Sequence, residues 1–497
     1  MGANAALGHK LWHRDFPKVE QVHKAGVVII GSGISGLAAA RTLYKSGIQD
    51  LRILELESLV GGNSCYGQNN ISRYPWGAHY LTLPTQDCSF LYDFLQECQV
   101  ITGFDARGKP IYNEEFLCHD LKERLFINGK FQEGLIPKHA ISEEDQQEID
   151  TFFRMMESFK YATGCDGKKA FCIPVDLSSQ DHKYLILDQT TMAEYMNHQG
   201  WVSKYLYWYV DYCCRDDYGA GIDKVSAWAG IHYFASRRSE AANSESDAIL
   251  TWPEGNGWLV DKLSAPYASQ IESNSLVYQV ELHEDKVIID YFDAINQTSK
   301  RLICEAAIMA VPHFVSAKIF NRSLSSINNM EYSPWFVANI SLSKLPPSRG
   351  VQVAWDNVSY YSRSLGYVHA SHQNFNVFEK ETVITYYLPL DELPPKEARR
   401  EALERRNETW KKYVLEDLDK IHPGLSAYVQ RIDMWIWGHG MVRPIPGFLW
   451  GKMRKDMPKQ EGRLAFSHSD MSGLSLFEEA YWQGLNAANR ILAVLKR

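Results

Sequence analysis

Three glycines stand at the spacing Gly31-Ser32-Gly33-Ile-Ser-Gly36, and Glu55 follows 19 residues beyond Gly36. Such a turn can take a diphosphate. Gly31 makes the tight bend, Gly33 lets the backbone approach the phosphates, and Gly36 lets a helix close on a strand. Ser32 lies inside the turn. The phosphates then meet the free N–H groups at a helix start. An acid at position 55 would accept hydrogen bonds from ribose hydroxyls. The chemistry these residues suit is the binding of a dinucleotide.

Elements of the right type surround them. Residues 27–31 are apolar and β-branched, as in a buried parallel strand. Residues 34–46 carry helical periodicity and stop at Gly47, and 51–56 read as a second strand. A right-handed β-α-β unit results. Further strands are expected at 276–282, 287–292, 306–311 and 464–467, with a closing helix over 476–495. Charged helical patterns span 140–160 and 396–420, the second reading as a solvated helix face. Sheet-forming material thus lies at the start, middle and end. The expected fold class is α/β: a Rossmann-like domain with a parallel sheet and a second α+β domain, both discontinuous in sequence.

Composition narrows the functions. With 45% hydrophobic and 23% charged residues the 497-residue chain is ordinary globular material. Lys plus Arg is 52 against 60 Asp plus Glu, a net charge of −8 that argues against a nucleic-acid partner. The nine cysteines form no CxxC, and no His/Cys set has zinc-ligand spacing, so no metal is expected. Ala25 to Ala40, the longest uncharged stretch near the start, is too short and glycine-rich to span a bilayer. A soluble protein is expected, without membrane contact, cytoplasmic by default. A periplasmic location stays open if a targeting segment was removed. The partner expected is a small-molecule substrate.

Six residues after Glu55 comes Gly61-Gly62, in the run Ile53-Leu-Glu-Leu-Glu-Ser-Leu-Val-Gly-Gly62. With that pair the sequence resembles the flavoprotein amine oxidase and phytoene desaturase superfamily. The resemblance implies FAD, held at Gly31, Ser32, Gly33, Gly36, Glu55, Gly61 and Gly62. Asn63 stands where relatives usually carry Arg. Tyr74-Pro-Trp-Gly-Ala-His-Tyr80 matches a flavin-facing segment, which makes Gly77, Ala78 and His79 implied flavin contacts. Val277 matches a valine whose backbone meets adenine, and Asp470 an acid near the ribityl and phosphate region. Phe477 opens the last helix, whose N-terminus would face the flavin pyrimidine edge. No cysteine lies in 464–490, so the FAD is expected to be non-covalent. Ser467-His-Ser-Asp470 replaces the Ala-Gly-Glu signature of amine oxidases. The domains implied are FAD-binding over 22–105, 240–315 and 430–497, and substrate-binding over 106–239 and 316–429, after an N-terminal extension, 1–21.

The implied reaction is hydride transfer from a C–H bond to flavin N5, often beside nitrogen, as in an amine or polyamine. Two segments look suited to line a substrate pocket: Tyr205 to Ser236, with Asp211, Asp216, Asp217, Tyr218, Trp228 and His232, and Met434 to Pro446. Tryptophans beside an acid suit a cation. His79, Asp217 and Trp437 are the catalytic candidates, with His369, His372 and His439 ambiguous. Two other readings compete: a desaturase or dehydrogenase of an apolar isoprenoid or porphyrinogen, and a flavin-holding scaffold without turnover. Many amine oxidases place a lysine near N5, in the strand matching Trp335–Leu342. Here that strand has none, and Ala338 or Asn339 falls near the position.

Overall fold

The computed structural model describes residues 2–139, 141–320, 330–345, 347–373 and 380–496. Parts of the expected substrate-side segments, Ala140, 321–329, Pro346 and 374–379, lie outside them. The chain forms two compact units, each assembled from separate pieces. One comprises Gly2–Cys65, Gly257–Met330 and Gly451–Arg497; the other comprises Tyr66–Asn256 and Glu331–Trp450.

The first unit contains the glycine fingerprint. Its sheet runs in the order Ile271–Glu272, Leu51–Leu54, Val19–Ile30, Thr298–Met309, Val287–Asp293, Ser275–Leu282. The Leu464–Phe466 strand pairs in parallel with Thr298–Met309 as well. Parallel pairing joins Val19–Ile30 to both neighbours, while the last three strands of the path form an antiparallel meander. Val27 to Ile30 are buried, as an apolar run covered on both faces must be. The strand starts at Val19, earlier than its apolar run suggests, and its residues 20–24 are exposed. The mostly polar run Glu20-Gln-Val-His-Lys24 hides such a solvated extension from hydrophobic patterning. Helix Ile34–Lys45 follows the fingerprint, and the closing helix Phe477–Leu495 packs on it. Gly484 allows that approach, since a Cβ there would lie 2.2 Å from the Ser35 carbonyl oxygen.

The second unit is built on a seven-stranded sheet ordered Val429–Val442, Tyr332–Leu342, Thr382–Pro389, Tyr367–His369, Asp356–Ser359, Glu123–Ile127, Lys130–Glu133. It is antiparallel except where Asp356–Ser359 meets Glu123–Ile127. All eleven residues of Tyr332–Leu342 are buried. Helices Glu143–Lys160, Lys204–Tyr218 and Ala227–Ala235 belong to this unit. The expected solvated helix over 396–420 is two helices, Pro395–Glu404 and Asn407–Asp419. Their inner side is core, with Trp410 stacked on Phe336 at 4.2 Å. The unit boundaries differ from those expected. Residues 430–450 fall here because Val429–Val442 pairs with Tyr332–Leu342, and 66–105 and 240–256 fall here too. Strand pairing between distant segments made that division, and local pattern does not encode it. Among the described residues no helix is long and apolar enough to cross a membrane.

Candidate functional site

In the first unit, the fingerprint glycines divide by the reason each must be glycine. Gly31 has φ +102°, and a Cβ on it would lie 2.5 Å from the Ala310 carbonyl oxygen. A Cβ on Gly36 would lie 2.0 Å from the Gly31 oxygen. Both are therefore fixed by the fold. Gly33 has an ordinary φ of −66°, and a Cβ there would meet nothing within 4 Å. Packing gives no reason for its missing side chain, whereas a phosphate lying on the helix start does. Gly61 and Gly62 both have positive φ and bring a second segment against this turn. The Gly61 N–H donates to the Ser32 carbonyl at 3.1 Å. Asn63 is exposed in the short turn that follows.

Glu55 stands just past the Leu51–Leu54 strand and is buried. One oxygen accepts from the Ser32 N–H at 2.8 Å and the Ser32 hydroxyl at 2.6 Å; the other accepts from the Glu57 N–H at 2.8 Å. A carboxylate has about four acceptor positions, so room for a ribose hydroxyl remains. Asp470 accepts from the His313 N–H at 2.9 Å and lies 3.0 Å from His468 Nδ1, tying the end of the Leu464–Phe466 strand to helix His313–Ile319. Val277 is buried in the sheet core, and Phe477 opens the closing helix. These residues fit a dinucleotide of the FAD kind: an open space at Gly33, a helix start behind it and an acid at the strand end.

Gly77, Ala78 and His79 belong to the second unit. There the carbonyls of four successive residues are each held by a different element. Pro75 accepts from Asn339 Nδ2 at 3.0 Å, Trp76 from Trp437 Nε1 at 2.7 Å, Gly77 from the Tyr387 hydroxyl at 3.0 Å, and Ala78 from the Asn256 N–H at 3.1 Å. The segment is a fixed ledge. Trp437, a catalytic candidate, is one of its supports. His79 stacks on Tyr387 with ring centroids 4.4 Å apart and packs near Tyr80 and Trp355. Burial lowers its pKa to about 4, so the imidazole is neutral at pH 7.

Beside this ledge lies a group of carboxyls. Asp216 and Asp217 sit in the last turn of helix Lys204–Tyr218, where the helix dipole disfavours negative charge. Arg237 Nη2 donates to both Asp217 oxygens at 2.7 and 2.8 Å, so that charge is already met. Asp216 has the Tyr80 hydroxyl at 3.3 Å instead. Burial, then the charge of Asp217, pushes the Asp216 carboxyl up to about 7. Asp356 accepts from the Tyr212 hydroxyl at 3.0 Å. Burial, Glu123 and Asp216 raise its pKa too. Of the two neighbouring acids, Asp216 is thus the one open to a cation. Asp356, Tyr387 and Arg237 come near it from other segments, with no periodic signal to announce them.

The other candidates have partners elsewhere in this unit. His232 Nε2 lies 2.8 Å from the Cys172 carbonyl oxygen, and its ring stacks on Trp228. The Tyr218 hydroxyl donates to the Ala229 carbonyl at 2.8 Å. His369 meets the Thr382 hydroxyl at 2.7 Å, and His372 meets the His119 carbonyl at 2.9 Å. His439 packs edge-on against Tyr332.

Residues 29–98 match the family model of an NAD(P)-binding Rossmann-like domain. Over nearly its whole length the chain is similar to solved amine oxidases. Putrescine oxidase bound to putrescine superposes with a TM-score of 0.67 at 14% identity, covering 95% of this chain and 100% of that one. The chain has the amine oxidase fold. Cyclohexylamine oxidase from Brevibacterium oxydans IH-35A gives 0.65 at 14% identity, with 95% and 100% covered. A CLA-producing fatty acid isomerase from P. acnes gives 0.62 at 16% identity, with 94% and 98% covered. One fold therefore serves amine and fatty-acid chemistry, and the site must discriminate.

Gly33→Val is expected to leave the fold intact, because its side chain has space, yet to purify without flavin. Glu55→Gln should fold and bind FAD about tenfold more weakly, since an amide loses one of the charge-assisted bonds around the Ser32 turn. Flavin content by absorbance and fold by circular dichroism check both. Full flavin content in Gly33→Val would show that the space has another use.

Proposed function

We propose that the protein is an FAD-dependent oxidoreductase of the amine oxidase superfamily, acting on a C–H bond beside a cationic nitrogen. The observation that carries the substrate class is Asp216, a half-buried carboxyl with no hydrogen bond to a guanidinium, bonded instead to the Tyr80 hydroxyl, whose ring packs with His79 and Trp355. Aromatic faces and an acid together attract an ammonium group. An apolar isoprenoid would leave these carboxyls to be desolvated without compensation, which costs several kcal/mol. That weighs against the desaturase reading.

FAD, bound non-covalently at the glycine turn, would supply the hydride acceptor. Ionised Asp216 then holds the ammonium and can take its proton, since Tyr80 occupies only Oδ2. A neutral amine gives up an adjacent hydride more readily than an ammonium does. Neutral His79 adds no competing positive charge. Asp217, locked to Arg237, keeps the helix end in place, and Trp437 and Asn339 position the 75–78 ledge.

The same groups set the pH response. Asp216 ionises as pH rises through about 7, so amine binding strengthens across that range. Its contribution to stability runs the other way. The folded state keeps a proton that the unfolded chain has released, so that contribution falls as pH rises from the ordinary carboxyl range toward 7.

Four outcomes are expected. Anaerobic addition of primary amines and diamines should bleach the flavin, faster at pH 8 than at pH 6. Asp216→Asn should slow bleaching about a hundredfold with flavin content unchanged. A wild-type flavin that no amine bleaches would overturn the reading. Acid precipitation should release all the yellow colour into the supernatant, and colour in the pellet would mean a covalent bond.

The fourth outcome concerns oxygen. Ala338 and Asn339, near the position of the relatives' lysine, are buried and uncharged, and Asn339 is bonded to Pro75 and Thr385. Lys344 lies past the strand, over the Tyr428 ring. Without a cation to stabilise developing negative charge on oxygen, photoreduced protein should reoxidise slowly in air. Stopped-flow rates matching those of lysine-bearing relatives would contradict this.

A further inference from the structure

Residues 4–16 carry two helices of four residues each, Ala5–Gly8 and Lys10–His13. Helices this short do not stand alone in water, so packing must hold them. Asn4 caps the first, its side chain accepting from the Leu7 N–H at 3.1 Å. Leu7 and Leu11, four residues apart, are both buried, while His9, Trp12 and Arg14 around them are exposed. The two leucines enter the core cluster that contains Val28, Ile30, Leu54, Val277 and Tyr278. Phe16 then stacks on Tyr278 with ring centroids 4.2 Å apart, and Arg14 Nη2 donates to the Tyr278 carbonyl at 3.2 Å.

The segment therefore bridges the loop after the Leu51–Leu54 strand and the Ser275–Leu282 strand. At the first, the Asn4 N–H donates to Glu57 Oε1 at 2.7 Å. The Glu57 N–H donates in turn to Glu55 Oε1 at 2.8 Å, and the other Glu55 oxygen holds Ser32 of the glycine turn. Hydrogen bonds thus run in series from the segment to the expected phosphate site. At the second, the contacts fall on Tyr278, next to Val277. The two places are themselves tied together. The Ser275 N–H donates to the Glu55 carbonyl at 2.7 Å, and the Asn274 N–H to the Glu57 carbonyl at 3.1 Å. Glu55 and Val277, the residues expected to meet adenosine, both have this segment behind them.

We propose, resting on the FAD reading of the glycine turn, that residues 4–16 are a positioning strap for the adenosine half of the cofactor. Docked through Leu7, Leu11 and Phe16, the strap fixes the Glu55–Glu57 loop and the Val277 backbone in the arrangement that binds adenosine. Coupling of this kind is reciprocal. A strap that tightens FAD about tenfold is itself held about tenfold more firmly when FAD is bound. A brace that serves stability alone shows no such dependence.

Amide hydrogen exchange of the full-length protein over residues 5–14, with and without saturating FAD, reads the coupling without turnover. Exchange there should slow about tenfold when FAD binds. Calorimetric titration of the flavin-free protein supplies the other arm, with FAD and ADP as probes, ADP carrying only the adenosine half. The double variant Leu7→Ser/Leu11→Ser releases the strap and should weaken both ligands alike, by about tenfold. Leu11→Met keeps the apolar contact and should bind both within about twofold of wild type. Glu57→Ala, which removes only the acceptor of the Asn4 N–H, should weaken both several-fold, and carries the test if the double variant does not fold. Strap exchange that FAD leaves unchanged, or full FAD and ADP affinity in a folded, strap-released variant, would overturn the proposal. Wild-type protein that takes up neither ligand would overturn the cofactor reading itself, and this inference with it.

Discussion

Arg237 can neutralise one of two adjacent carboxylates, and its fork closes on Asp217. Asp216 keeps a hydroxyl partner in place of a cation, at the end of a helix whose dipole opposes its charge. Removing an ion from water without a counter-charge costs several kcal/mol. A fold tolerates such a site only where the surrounding frame holds it. Here the frame is visible: Arg237 pins the helix end, Tyr212 ties the helix to Asp356, and the four carbonyls of 75–78 are bonded to four separate elements. A positively charged substrate relieves the imbalance this frame maintains.

The other unit contains a matching deficiency of volume instead of charge. Gly31 and Gly36 are required by backbone conformation and packing, while Gly33 faces space that no protein atom fills. Glu55 braces the same turn through Ser32. An empty space over a helix start and an uncompensated acid are both local departures from what stability alone would choose. Such departures mark functional sites.

Much of the first unit is legible in the sequence because its signals are local. The run Val27–Ile30, the glycine turn, helix Ile34–Lys45 and Glu55 follow one another within a single β-α-β unit. The closing helix and the 276–292 strands are equally periodic. The second unit is less legible because its contacts are long-range. Nothing in the pattern around 430–450 says that Val429–Val442 will pair with Tyr332–Leu342. Asp216 and Asp217 are indistinguishable in sequence, and only the reach of Arg237, twenty residues away, separates them. Asp356 and Tyr387 come near Asp216 through strand order, which periodicity cannot encode. Trp437 stands out by residue type, yet the fold uses it to fix a carbonyl.

The central claim is that Asp216 carries a charge deficit that a substrate cation fills. Difference infrared spectroscopy of the flavin-loaded protein reads its protonation directly. The account predicts a protonated carboxyl band at pH 6 that titrates near pH 7, is missing in Asp216→Asn, and disappears at pH 6 when a primary amine binds. A carboxyl spectrum that neither titrates in this range nor responds to amine would contradict it.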